Sequence, residues 1–390
     1  MEHAVDRVQG GFHGALTNEL QVRDDIPRAL VLCARILWPY SRAWRVLGVA
    51  AYGEMARGAF RYLADRFRDP VHGGFFWQLD RHGAPLDERK LVYGHAFAIY
   101  GLAEFWRASA DPQALRLALE AYRGIESCSG ARGLPEYHVA HRDWTRHALQ
   151  RLHPAEHDAP RQANVVLHLL EACANLLRAA DEPALRQRHR QLLDFFLDDV
   201  VGPDGRHCAL YFDADWRPVT GVISHGHDIE TSWLLTESAA MHRDPALAER
   251  AARAALALAT SVLEEALEAD GGLVQASSAA GVTDATRHWW AQAEAVVGFC
   301  NAYQLSGQDR FLEAALRCWD YIEKHFVDRR NGEWFAQLNR DGTLFRNAQN
   351  LERFKAGPWK CPYHNARACL EIMDRIGPSA PPAGNRGTIR

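Results

Sequence analysis

The sequence predicts an all-α chain wound into a ring of antiparallel helix pairs, an (α/α)6 barrel with short β-hairpins in its long connections. Three observations carry this. The first is a recurring helix start: Asp111-Pro112, Asp181-Glu182-Pro183 and Asp244-Pro245 each open an Ala/Leu-rich run, and Gly307-Gln308-Asp309 fills the same slot. Aspartate caps a helix well and proline suits its first turn. Steps of about 60 to 70 residues fit two helices and a longer connection. The second is a glycine-aromatic segment between those starts. Asp6-Arg7-Val8-Gln9-Gly10-Gly11-Phe12 matches Asp69-Pro70-Val71-His72-Gly73-Gly74-Phe75, and Asn331-Gly332-Glu333-Trp334-Phe335 is a third copy. The third is a 47% apolar composition over 390 residues, with no uncharged apolar run near the ~18 residues of a membrane span.

Taken in order, one helix set follows the long connections, with starts expected near residues 27, 88, 160, 224, 284 and 361. The other follows the short turns, near 52, 111, 182, 244 and 308. Leu115, Leu117, Leu119, Tyr122 and Ile125 give the apolar stripe of one outer helix. The connections alternate aromatic and polar residues between glycines, as in Phe75-Phe76-Trp77-Gln78-Leu79, and read as hairpins; 202–219 and 270–282 are looser members. Six inner and five outer helices leave the ring without its first outer helix, because the chain reaches Gly10-Gly11-Phe12 almost at once. An apolar seam is then expected between the first and last inner helices, near Leu30, Leu37, Leu370 and Ile372. Residues 1–376 read as a single barrel domain and 377–390 as a disordered tail by composition.

Composition excludes some function classes. A net charge of −4 and a pI near 6.5 leave no basic field for nucleic acid. The start MEHAVDRVQGG is no signal peptide. Eight cysteines without a CxxC pair read as reduced thiols of a cytoplasmic protein.

If the first set lines the ring, its first turns share one end, and there they carry unusual residues. They are Arg35; Tyr93 and His95; Asn164 and His168; His225, His227 and Glu230; Trp289, Trp290, Gln292 and Glu294; Trp359 and His364. Asn164 and His168 are four apart and His227 and Glu230 three apart, so each pair shares a helix face. Polar groups in an apolar lumen cost free energy unless paired, which makes them site candidates. Each alone has a plainer reading. His168 could be a satisfied core histidine, Arg35 could snorkel, and the tryptophans could be packing. His138, His141 and His153 read as parts of a solvated loop. His-x-x-Glu could supply two metal ligands, but no HExxH or carboxylate-rich set completes a site, so no metal and no cofactor are expected.

At these residues the chain resembles the N-acylglucosamine 2-epimerase family, and most its cellobiose 2-epimerase branch, over nearly its whole length. The motifs are Ala34-Arg35-Ile36-Leu37-Trp38, Tyr93-Gly94-His95-Ala96-Phe97, Asn164 to Glu171, Gly226-His227-Asp228-Ile229-Glu230, Trp290-Ala291-Gln292-Ala293-Glu294 and Trp359-Lys360-Cys361-Pro362-Tyr363-His364-Asn365. The resemblance implies metal-free chemistry at C1 and C2 of a reducing sugar. His227 and His364 would be the acid/base pair, Arg35 would hold enediolate oxygens, and His168 and Glu230 would assist ring opening. Asn164, Tyr93 and Glu294 would bind substrate, with Trp290 and Trp359 as sugar platforms. The loop at Trp144-Thr145-Arg146-His147 and Glu156-His157-Asp158 departs from the branch and leaves a free hexose such as mannose open beside a disaccharide. An aldose–ketose isomerase is the alternative within the fold. A glycoside hydrolase, which needs two carboxylates across the bond, or a sugar-binding protein are more distant ones. The expected partner is a small sugar, with no nucleic acid and no membrane, for a monomer or homodimer.

Overall fold

The computed structural model describes residues 2–130, 132–152, 157, 159–346 and 354–377. In chain order its helices are α1 (Leu30–Leu47), α2 (Ala50–Tyr62), α3 (Val92–Ser109), α4 (Pro112–Ser127), α5 (Ala163–Ala179), α6 (Pro183–Phe195), α7 (His225–Ala240), α8 (Pro245–Glu265), α9 (Trp289–Ser306), α10 (Asp309–Tyr321) and α11 (Tyr363–Ile376). The odd-numbered helices touch one another in sequence, and α11 returns to α1 to close the ring. The even-numbered ones pack outside. Six inner and five outer helices among the described residues match the sequence reading.

Local chemistry sets the helix ends. Asp111 accepts from the Gln113 amide at 2.9 Å, and Asp244 from Ala246 and Leu247 at 3.1 and 3.2 Å, so both are true N-caps. Asp309 is instead the first residue of α10, with Gln308 before it. Inner helices α3, α5, α7 and α9 are buried nearly all round, whereas α11 exposes Cys369, Met373 and Ile376; in α3 burial is continuous from Val92 to Phe105. Outer helices bury one face, and in α4 that face includes Leu117, Tyr122 and Ile125, while Leu115 and Leu119 lie at its margin.

Short strands stitch the ring together. The two residues before each of α1, α3, α5 and α9 pair antiparallel with the next connection: Arg28–Ala29 with Gln78–Leu79, Lys90–Leu91 with Val139–Ala140, Arg161–Gln162 with Tyr211–Phe212, and Arg287–His288 with Gln337–Leu338. Ile223–Ser224 before α7 pairs in the same way with Ala276–Ser278. The sixth stitch joins the two ends, with Leu16 N–H donating to Ala356 O and Lys355 N–H to Leu16 O, both at 2.8 Å. Several connections also carry a carboxylate, buried in Asp6, Asp69 and Asp328 and half-buried in Glu268, that meets a fixed cation. Asp6 pairs with Arg28 at 2.5 Å and Asp69 with Lys90 at 3.0 Å; Glu268 meets Arg287 and Asp328 meets Lys355.

Two sequence expectations need correction. The apolar seam does not form at the residues named for it. Leu30, Leu37 and Leu370 are buried, and Ile372 packs against the core. The reason is that α1 and α11 pack on each other, and Arg42 of α1 bridges to Glu371, at 3.6 Å, and to Asp374. Exposed apolar groups remain at the end of α1, Val46 and Leu47, and along α11, Cys369, Met373 and Ile376. His138 is not in a solvated loop: it is fully buried against Trp216, and burial lowers its pKa to about 3. His153, Glu156 and Asp158 lie outside the described residues, as does the tail after Gly377. No helix among the described residues is long and apolar enough to cross a membrane, and all eight cysteines are free thiols.

Candidate active site

The predicted polar residues converge at the N-terminal end of the inner helices. Arg35 on α1 is buried, with its guanidinium stacked 4.1 Å from the Phe97 ring centre. It donates to the Trp359 carbonyl at 3.0 Å and to the Tyr93 hydroxyl at 2.8 Å. No carboxylate among the described residues lies within ion-pair distance of it, so its charge is not neutralised locally. Tyr93 in turn packs edge-on against His168 and Trp359, with ring centres 5.1 and 5.9 Å away. Trp359 does not sit in a helical turn, as the sequence suggested, but in the segment leading into α11, beside Trp77.

Three histidines face this basin from three helices, and each has one ring nitrogen fixed. His168 Nδ1 lies 2.7 Å from Glu171 Oε1, His364 Nδ1 2.8 Å from Glu294 Oε1, and His227 Nδ1 2.8 Å from Ser224 Oγ. A carboxylate on Nδ1 selects the Nδ1–H tautomer for His168 and His364 and leaves the Nε2 lone pair to take a proton. Burial holds the pKa of all three down: to about 3 for His168, well below the usual value for His364 and less sharply for His227. All three are therefore neutral at neutral pH. Trp290 lies between the second and third, 4.8 Å from the His227 ring and 5.9 Å from the His364 ring. Gly226 makes this approach possible, since a Cβ there would lie 2.5 Å from the Trp290 ring. Asn164 sits one turn before His168, with its amide oxygen buried and without a donor among the described residues.

Beneath the histidines lies a group the sequence reading missed. Arg367 on α11 is fully buried and binds three glutamates from three helices: Glu171 at 2.5 Å, Glu294 at 2.7 Å, and Glu230. The Tyr363 hydroxyl also donates to Glu171 at 2.9 Å, and Trp233 Nε1 to Glu294 at 2.9 Å. Burial raises the Glu171 carboxyl to about 7. A signal was available: Arg367 is three residues after His364, and Glu171 three after His168, so both repeat the spacing already seen in His227 and Glu230. Glu230, Glu294 and His364 bring ligand-type atoms within 4.8 Å of one another. The guanidinium of Arg367 already bonds both carboxylates there, which supplies the positive charge a cation would otherwise bring.

Other candidates stay out of the basin. His95 accepts from the Phe75 amide at 2.9 Å and binds the Leu91 carbonyl at 2.8 Å through its other nitrogen, which makes it a bracket for the Gly73-Gly74 turn. Trp144 closes on the same turn, 4.8 Å from His95, and donates to the His72 carbonyl at 3.1 Å. Gln292 holds the 271–273 backbone, accepting from Leu273 N at 3.0 Å and donating to Gly271 O at 2.7 Å.

Residues 10–368 match the family model described as N-acylglucosamine 2-epimerase. A cellobiose 2-epimerase of Bacteroides fragilis is 39% identical over 376 residues, covering 96% of this chain and 94% of that protein. Another, from Dictyoglomus turgidum, is 35% identical over 379 residues, covering 96% and 94%. The solved cellobiose 2-epimerase of Bacillus thermoamylovorans superposes with a TM-score of 0.88 at 33% identity, covering 96% of this chain and 95% of that one.

Proposed function

The chain belongs to the N-acylglucosamine 2-epimerase family, and on that premise we propose that it is a sugar 2-epimerase of the cellobiose 2-epimerase type, acting on C2 of a reducing aldose through a cis-enediolate, without a metal ion. The observation that carries this is the pair of imidazoles on separate inner helices, His227 on α7 and His364 on α11, each beside Trp290. Inverting C2 takes a proton off one face and returns one to the other, so it needs two groups, each able to act as acid or base.

One neutral imidazole removes the C2 proton of the open-chain aldose. The electron pair passes into the C1–C2 bond and onto the aldehyde oxygen. Arg35 meets that oxyanion with a charge that no carboxylate neutralises, which is where electrostatic stabilisation is strongest. The second imidazole, which also rests neutral, takes up a proton from water and delivers it to C2 from the opposite side, the first gives its proton back to water, and the two exchange roles in the reverse direction. Glu294 on His364 Nδ1 stabilises the imidazolium whenever His364 carries the proton. His168 and Asn164 hold hydroxyls, and His168 with Glu230 assists opening of the ring. Trp290 and Trp359 offer apolar faces for sugar rings.

Turnover of mannose, glucose and cellobiose in D2O, followed by NMR, tests this. Label is expected at C2 of the epimer, with ketose at most a side product. Ketose alone, with no C2 epimer at any time, would replace the two-face assignment with an isomerase.

A further inference from the structure

The first turn of α7 carries chemistry on two sides. His227 and Glu230 face the basin. His225 and Asp228 lie about 160° away around the helix, at 100° per residue, and meet the 202–208 connection. One imidazole nitrogen each from His207 and His225, and one Asp228 oxygen, all lie within 4.8 Å of one another.

The surroundings of these three side chains fit a metal site. Asp228 is fully buried, and its Oδ1 accepts from the Cys208 amide at 2.8 Å while Oδ2 lies 2.9 Å from His207 Nδ1. His207 Nε2 lies 3.2 Å from Glu265 Oε2. His225 is fully buried; its Nε2 bonds Ser277 Oγ at 2.8 Å, while its Nδ1 is buried with no hydrogen-bond partner among the described residues. Each prospective ligand thus has its far atom held by an outer partner, the arrangement that orients metal-binding imidazoles and carboxylates. The repeat sharpens the contrast. Elsewhere a buried carboxylate of a connection meets an arginine or lysine, as in Asp6–Arg28 and Asp69–Lys90. Here the carboxylate sits on the helix, and among the described residues it meets no arginine or lysine within ion-pair distance.

We propose that His207, His225 and Asp228 bind a divalent transition-metal ion, zinc by preference, which clamps the 202–208 connection to the start of α7 outside the sugar basin. Two imidazoles and a carboxylate, with a fourth position for water, suit zinc, whose tetrahedral bonds set donor atoms about 3.4 Å apart. His207 is part-exposed, so it can close the small remaining distance and leaves the ion a way in. The ion touches no reacting atom, so the role is structural and differs from the metal-free chemistry proposed for the basin.

The test is titration of chelator-treated, dialysed protein with zinc chloride, by calorimetry and by thermal melting, and with cobalt chloride by visible absorption. The expected result is one saturable equivalent, a raised melting temperature and the absorption bands of four-coordinate cobalt. His207→Gln and His225→Phe should each weaken zinc binding at least ~10-fold, while His364→Gln leaves it unchanged. His207→Gln replaces a part-exposed side chain, so its reading does not depend on a core change. Absence of saturable binding would overturn the proposal. So would zinc affinity undiminished in His207→Gln, or affinity lost in His364→Gln, which would place the ion in the basin.

Discussion

Replacing Arg367 by methionine keeps most of the side-chain volume and removes the one guanidinium that Glu171, Glu230 and Glu294 share. Breaking a buried ion pair by deleting one partner costs about 3–5 kcal/mol, because the other charge is left uncompensated. The structure places this case at the low end, about 3 kcal/mol at pH 7, because one of the three carboxylates can escape. Glu171 already has its pKa raised to about 7 by burial and takes up a proton when the cation leaves. That escape has a pH signature. A folded-state carboxyl raised above its unfolded value binds more protons when folded, so its stabilisation is lost as pH rises, by up to about 1.4 kcal/mol per unit. The cost of Arg367→Met should therefore be about 1–2 kcal/mol larger at pH 8 than at pH 6. Urea melts at both pH values measure it. Adding Glu171→Gln to the variant should recover part of the loss, with a coupling of at least ~1 kcal/mol in the double-mutant cycle. A single-variant cost under ~1 kcal/mol, or strict additivity with Glu171→Gln, would refute the shared-cation account.

His227→Ala and His364→Ala should each fold and lose at least ~10²-fold in turnover, as seen in initial rates on mannose and cellobiose beside unchanged circular dichroism. Four buried histidines, His95, His138, His168 and His189, have pKa values lowered by burial to about 3. Their unfolded forms bind more protons below pH 6.5, so their contribution to stability is whole above that pH and declines towards pH 3, while the raised groups Glu171, Glu371 and His207 oppose them. Melting temperature should fall steadily from pH 6.5 to 5, and a flat profile would show that these rings are solvated. Exhaustive chelation should leave turnover intact at temperatures where the protein remains folded; activity lost on chelation and restored by a divalent ion, with no change in melting, would contradict the metal-free mechanism.

The ring and the first layer of the site were legible in the sequence because both rest on local chemistry. Asp111 and Asp244 announce their helices through the amides they cap, and the Gly-Gly-Phe connections repeat openly. His227 with Glu230, and Asn164 with His168, announce a shared face by spacing. What lies beneath was not legible. Arg367 stands in an ordinary amphipathic stretch, Arg-Ala-Cys-Leu, and its three partners lie on three other helices, so beyond its three-residue spacing from His364 nothing local marks it. The same limit explains His138, which looks like a loop histidine in sequence and is buried beside Trp216, far along the chain. The seam failed for a related reason: the expectation counted helices but could not see α1 and α11 pack together.

The sixth stitch sets the order in which this ring can be completed. Five stitches join each connection to the next, so during synthesis they can form one after another as the chain emerges. The bond between Leu16 and Ala356 joins segments nearly the whole chain apart, and it must wait for the last helix. The entropy of closing so large a loop grows only with the logarithm of its length, so the delay is kinetic far more than thermodynamic. Until then α1 and α9 each hold an apolar face open for α11. Opening the chain instead at the short turn between α7 and α8, with the natural ends joined, would make Leu16–Ala356 an early contact and move the waiting edge elsewhere. The finished ring would be the same, but a different face would be the last to leave the protection of a chaperone.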